Sequence, residues 1–191
     1  FGRIVLPGMP LSHIRELLGR AEGWFAGVKL SLPPVPSDSD GGGIALQAGL
    51  PASEPIISEY FRAEVFSSLP PTDREFLLTT SILGALSAPI CEALTERGDC
   101  EGTLRRLERT GLFLQAVDRR LGRFRYHRMF AEFLQAELQR QDEAKMRALH
   151  VRAGNWLEEN GEEAEAVAHY LAGGCCDRAL PLLDRLLTRM V

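Results

Sequence analysis

The sequence predicts a mainly α-helical chain that carries one small β-hairpin. Three observations predict it. Apolar residues recur at helical spacing through much of residues 55–107 and again beyond residue 128. Helix-start and helix-stop residues punctuate those stripes. Only two short runs, Phe113-Leu114-Gln115-Ala116-Val117 and Phe124-Arg125-Tyr126-His127, read as strands, with Asp118 to Gly122 as the turn between them.

Composition narrows the class. The chain has 191 residues, 45% hydrophobic and 25% charged, which suits one sizeable core or two small domains. Apolar stretches are broken by charge well short of the ~18 residues a membrane span needs, and Phe1 to Pro10 lacks a secretory pattern, so a cytoplasmic protein is expected. The first residue is Phe1 rather than Met, and the amphipathic run Ala179-Leu182-Leu183-Leu186 closes the chain, so an internal segment of something longer is expected. The formal net charge of -4 disfavours DNA as the main partner, because nucleic-acid-binding domains carry a basic surplus. Cys91, Cys100 and Cys175-Cys176 show neither a zinc spacing nor a disulfide framework and read as reduced structural thiols. His13, His127, His150 and His169 are scattered without a metal-binding pattern, so no metal site is expected.

The first segment reads as a short strand at Arg3 to Leu6, a helix from Ser12 and a second helix over Glu22 to Leu32. The Pro33-Pro34-Val35-Pro36 run forbids continuation, and Ser37 to Gly43 favours flexible chain. A helix is predicted from Pro55 to Leu69, with Ile56, Tyr60, Val65 and Leu69 on its apolar face. Thr72-Asp73-Arg74-Glu75 has the form of a capping box that launches a helix through Leu83. Ser87-Ala88-Pro89 starts another, and Asp99 caps a third that carries Leu104 and Leu107 and ends at Gly111. Helices followed by a hairpin is the element order of a winged helix. Beyond it, Phe130, Phe133, Leu134 and Leu138 mark a helix. Three stripes follow: Met146-Leu149-Ala153-Trp156, then Ala164-Val167-Leu171, then Ala179 to Leu186. Short connections at Asn160-Gly161 and Gly173-Gly174 turn these helices back on each other, like the opening of a helical-repeat superhelix.

A series of phrases in fixed order carries a family resemblance. Ala21 to Leu30 (with Glu22-Gly23-Trp24), Arg74 to Leu83, and Leu112-Phe113-Leu114 leading through Val117-Asp118 to Arg125-Tyr126-His127-Arg128-Met129-Phe130 are three of them. His150-Val151-Arg152-Ala153 with Trp156-Leu157, and Glu165-Ala166-Val167-Ala168-His169-Tyr170, complete the set. Together they resemble MalT-like, LuxR-family transcriptional regulators of the STAND class of signal-transduction ATPases. The resemblance implies an organisation for the chain. Residues 1–32 would end an ATPase helical module, 33–54 would be a linker, 55–140 a winged helix, and 141–191 the start of a TPR-like superhelix. It also implies a neighbouring ATPase domain in the same protein, an inducer on the superhelix, a DNA-binding domain further along and self-association on activation. ATP or ADP would belong to the intact protein. The chain has no GxxxxGK[ST] phosphate loop, and its only lysines are Lys29 and Lys145, so as a segment it is expected to hold no cofactor and to catalyse nothing.

The resemblance singles out His127. In related switch ATPases a histidine opening the helix after the wing contacts the phosphates of ADP. A helix start plus an imidazole donor is the chemistry an anion needs. Arg125 belongs to the same strand, and the acidic residue that often follows the histidine in plant and animal relatives is Arg128 here. The competing reading is a hydrogen-bonded structural histidine. Glu22 and Trp24 either pack two elements or line the nucleotide pocket. Arg119, Arg120, Arg123 and Arg128 form a basic patch on the wing, for DNA phosphates, for the ATPase module or for solvent alone. Two other functions stay open at this point: a helical-repeat scaffold for protein partners without nucleotide sensing, and a winged helix that binds DNA directly.

Overall fold

The computed structural model describes residues 58–111 and 113–189. The expected ATPase end (1–32) and linker (33–54), with Glu22 and Trp24, lie outside the described residues. The chain divides into two compact units, the first ending at Ser68 and the second beginning at Leu69. In the first, a π-helix spans Phe61–Phe66, and Ser67 N donates to Arg62 O five residues back. A five-residue repeat puts Phe61 and Phe66 on one side. They are the buried residues, while Tyr60, Val65 and Leu69, expected inside, are half-buried.

Two prolines follow Leu69 at the start of the second unit. Pro70 is held extended by the proline after it, and Pro71 occupies the first position of α1 (Pro71–Thr80), where a missing amide hydrogen costs nothing. This corrects the capping-box reading. Thr72 is already inside the helix, no side chain caps its start, and Asp73 instead takes both guanidinium nitrogens of Arg106 at 2.7 and 2.9 Å. α2 (Ala88–Thr95) follows Ser87, as expected. α3 (Cys100–Arg109) is capped by Asp99, whose carboxylate accepts from Gly102 N at 3.1 Å. The hairpin is β1 (Leu114–Asp118) and β2 (Arg123–Tyr126), antiparallel, pairing Leu114 with Tyr126 and Ala116 with Phe124. A bulge between Ala116 and Asp118 shifts the register, and Asp118 Oδ1 closes the turn by accepting from Arg120 N and Leu121 N. A third extended residue goes unpredicted: Leu86 exchanges both backbone hydrogen bonds with Phe124, each 2.8 Å.

Phe76, Leu77, Leu86, Leu94, Leu104, Leu107, Phe124 and Tyr126 fill the core of this winged helix. The buried Tyr126 hydroxyl meets Thr80 Oγ1 at 2.7 Å, and burial pushes its pKa up. α4 (Arg128–Gln141) packs on α1 and lays Phe130, Phe133, Leu134 and Leu138 into the core.

Three further helices follow: α5 (Glu143–Glu159), α6 (Glu163–Ala172) and α7 (Cys176–Arg189). α5 packs on α2, α6 on α5 and α7 on α6. Their buried stripes differ in part from the expected ones. Leu149, Ala153, Gly154 and Leu157 are buried on α5, with Met146 and Trp156 half-buried. Ala166, Val167 and Tyr170 are buried on α6, whereas Ala164 and Leu171 are exposed. The reason is a close approach: the Tyr170 ring lies directly over Gly154, the one α5 position without a side chain to block it. No helix among the described residues is long and apolar enough to cross a membrane.

Candidate functional site

The hairpin and α4 meet at His127. β2 ends at Tyr126, α4 begins at Arg128, and His127 is the residue between them, at φ -57, ψ 133. Its N–H donates to Phe113 O at 2.6 Å, which prolongs the hairpin by one rung. Its carbonyl accepts from Phe130 and Ala131, which starts the helix. The ring is buried, only 3% exposed, with Phe113 edge-on at 6.2 Å between centroids. One residue therefore ends a strand, opens a helix and anchors both to the core.

Strand alternation separates the neighbours of this residue. Tyr126 points in, so Arg125 points out beside Gln115, and Arg128 is exposed on the first turn of α4 and paired with Glu132 at 3.0 Å. His127 and Arg125 lie at one junction, the first buried and the second exposed. The junction joins the positive end of the α4 dipole, the exposed Arg125 and Arg128 and a buried imidazole.

The remaining arginines are dispersed. Arg119, 82% exposed, reaches back to Glu108 of α3 at 2.9 Å. Arg105 is tied to Glu101 and Arg106 to Asp73. Arg120 is exposed at the turn, and Arg123 leaves the other side of the hairpin to line a crevice against α5 and α6. Carboxylates interleave with the cations of α3 and the wing, so the patch forms no continuous phosphate-binding face.

Three groupings had no sequence signal, since each joins residues distant in the chain. At the first, Arg152 of α5 donates to Leu94 O at the end of α2 and pairs with Glu96 at 2.8 Å, while Lys145 and Arg97 share Glu75 of α1. These bonds border a crevice of about 260 Å³ between the winged helix and α5. At the second, Glu158 holds Arg178 and Arg185 of α7 and the hydroxyl of Tyr170, which joins α5, α6 and α7. The Tyr170 hydrogen bond and then Arg178 hold the Glu158 carboxyl below its usual range, while burial pushes Tyr170 up to about 12. At the third, the Nδ1 atoms of His150 and His169 lie 3.0 Å apart, and burial lowers both imidazoles, His169 to about 4. All four cysteines are free thiols; Cys91 and Cys100 are buried, and burial raises the pKa of each. No group of three or more metal-ligating side chains occurs among the described residues.

Residues 62–146 match the family of MalT winged helix domains. Over 179 residues, 93% of this chain, the sequence is 34% identical to the serine/threonine-protein kinase PknK of Mycobacterium tuberculosis, in strains CDC 1551 / Oshkosh and ATCC 25618 / H37Rv. The same figures hold for PknK of Mycobacterium bovis. The match covers 16% of the length of these kinases, so the chain spans a small part of the relatives it resembles.

Proposed function

Since this chain belongs to the MalT-like family, with a MalT winged helix domain at residues 62–146, we propose that it is the interdomain regulatory segment of an ATP-dependent transcriptional activator. It couples the nucleotide state of a neighbouring ATPase module, and inducer binding on the helical repeat, to DNA binding by a domain further along the protein. A similar segment within a much longer serine/threonine-protein kinase supports the reading of a module in a larger signalling protein.

The observation that carries the reading is the seat of His127 between β2 and α4. An ADP phosphate presented by the ATPase module would take the His127 imidazole and the first amides of α4, with Arg125 and Arg128 exposed at the same junction. The ion pairs from α5 to α1 and α2 then couple any shift of the winged helix to the first helical pair. Two states and a ligand that prefers one of them complete the switch: ADP holds the closed form, while ATP and inducer favour the open form that self-associates.

The test uses the full-length protein. His127→Ala is expected to weaken ADP binding by about tenfold or more, the worth of a lost charge-assisted contact, and to raise basal activity. His127→Gln, which keeps a hydrogen-bonding side chain of similar reach, separates loss of the contact from loss of folding. Unchanged ADP affinity and basal activity in both variants overturns the sensor.

A further inference from the structure

On α5 to α7 several carboxylates are already taken: Glu143 by Arg147, Glu158 by Arg178 and Arg185, and Glu163 by Arg189. Arg123, Glu162 and Glu165 are not among the paired groups, since they form no ion pair among the described residues. All three line one crevice, of about 120 Å³, between the hairpin and the start of α6. Trp156 of α5 lines it too, half-buried, and His169 closes one side. The floor is apolar, made by the buried side chains of Leu86, Ile90 and Leu157. His169, lowered to about 4 by burial, is neutral at pH 7 and adds no charge to the crevice.

Opposite charges that share a crevice without reaching each other are suited to a ligand that carries both. We propose that this crevice binds a small zwitterion of the amino-acid class, its carboxylate on Arg123 and its ammonium on Glu162 and Glu165 beside Trp156. A guanidinium takes a carboxylate bidentately. An ammonium gains from carboxylates and from an indole face together. The apolar floor receives the side chain. The same mixture rejects simple ions: a lone anion meets two carboxylates, and a lone amine meets a guanidinium. The ligand would bridge β2 to α6 and so stabilise their packing by mass action. This claim stands on the residues of the crevice and is independent of nucleotide sensing at His127.

Trp24→Phe leaves Trp156 as the only tryptophan of the 191-residue chain, so its emission reports on the crevice directly. Each common amino acid is titrated against this variant, and calorimetry on the unmodified chain repeats the titration so that the result does not depend on the substitution. For the tightest binder, the deaminated acid and the decarboxylated amine of the same side chain are compared. The expected result is saturable binding of at least one amino acid, with both single-charge analogues weaker by about tenfold or more. Arg123→Gln should erase the advantage over the amine, and Glu162→Gln combined with Glu165→Gln the advantage over the acid, with circular dichroism unchanged. No saturable binding by any amino acid overturns the proposal. So does an amine that binds as tightly as the amino acid, or charge variants that bind like the parent.

Discussion

Replacing Gly154 by alanine tests how firmly α6 is locked onto α5. In an open helix the change stabilises, because alanine is the better helix former by about 1 kcal/mol. Here a Cβ at 154 would stand 2.8 Å from both Cδ1 and Cε1 of Tyr170 and 3.2 Å from Cγ, against about 3.5–4.0 Å for relaxed carbon contact. The ring must therefore retreat by roughly 0.7–1.2 Å, and it is not free to do so. It is fully buried, and its hydroxyl lies 2.8 Å from Glu158 Oε2 and 2.9 Å from Asn155 Oδ1 while accepting from Arg178 Nη2 at 2.9 Å. Overpacking of this kind costs about 1–3 kcal/mol, and weakening the hydroxyl's bonds adds about 1 kcal/mol. Subtracting the propensity gain leaves Gly154→Ala destabilised by about 1–3 kcal/mol. At this chain length a loss near the middle of that range lowers Tm by about 4–8 °C. Thermal melts and urea titrations with an unchanged slope read it directly. Tyr170→Phe releases the ring, so the cost of Gly154→Ala should shrink in that background, and the double-mutant cycle gives the coupling. If Gly154→Ala is as stable as the parent or more so, the interlock described here is wrong.

Two other perturbations follow from the same physics. Burial holds His169 at about 4 against its ordinary 6.5, the neighbouring His150 adds to this, and burial lowers His150 as well. The unfolded chain therefore binds more protons than the folded one between these values, so stability is full above about pH 6.5 and falls as pH drops towards about 4. His169→Asn should flatten that fall in denaturant titrations at neutral pH and near pH 4; an equal fall would remove the pair as its source. Asp99 both caps α3 and sits at φ 58, a left-handed conformation. Asp99→Ala keeps the strain and loses the cap, costing about 1–2 kcal/mol, whereas Asp99→Gly relieves the strain and should cost only a few tenths. The reverse order of the two midpoints would refute the assignment.

The legible parts of the fold were the local ones. Asp99 and Gly111 bracket α3, Asp118 and Gly122 bracket the turn of the hairpin, and Asn160-Gly161 ends α5, each through a bond or backbone angle set within a few residues. Thr72 failed as a cap for an equally local reason, because Pro71 already supplies the first helical position and the helix begins two residues earlier than a Thr72 cap requires. The α6 stripe failed for a distant one. Ala164-Val167-Leu171 and Ala166-Val167-Tyr170 fit helical periodicity equally well, and only the gap at Gly154 on another helix selects the second. At the candidate site, the junction around His127 could be read in advance, but the burial of its ring beside Phe113 could not.

By itself the amino-acid sequence determined most starts and stops of helices, hairpin and turns, the bounds of α1 excepted, and the order of elements that makes a winged helix, because hydrogen bonding and periodicity act over a few residues. Only tertiary structure decided which side of α6 faces inward, that Leu86 joins the hairpin, that two histidines meet and that Arg123, Glu162 and Glu165 share one crevice. Each of these pairs residues far apart along the chain, and their partners are chosen by packing of already formed elements, for which single-chain patterns carry no signal.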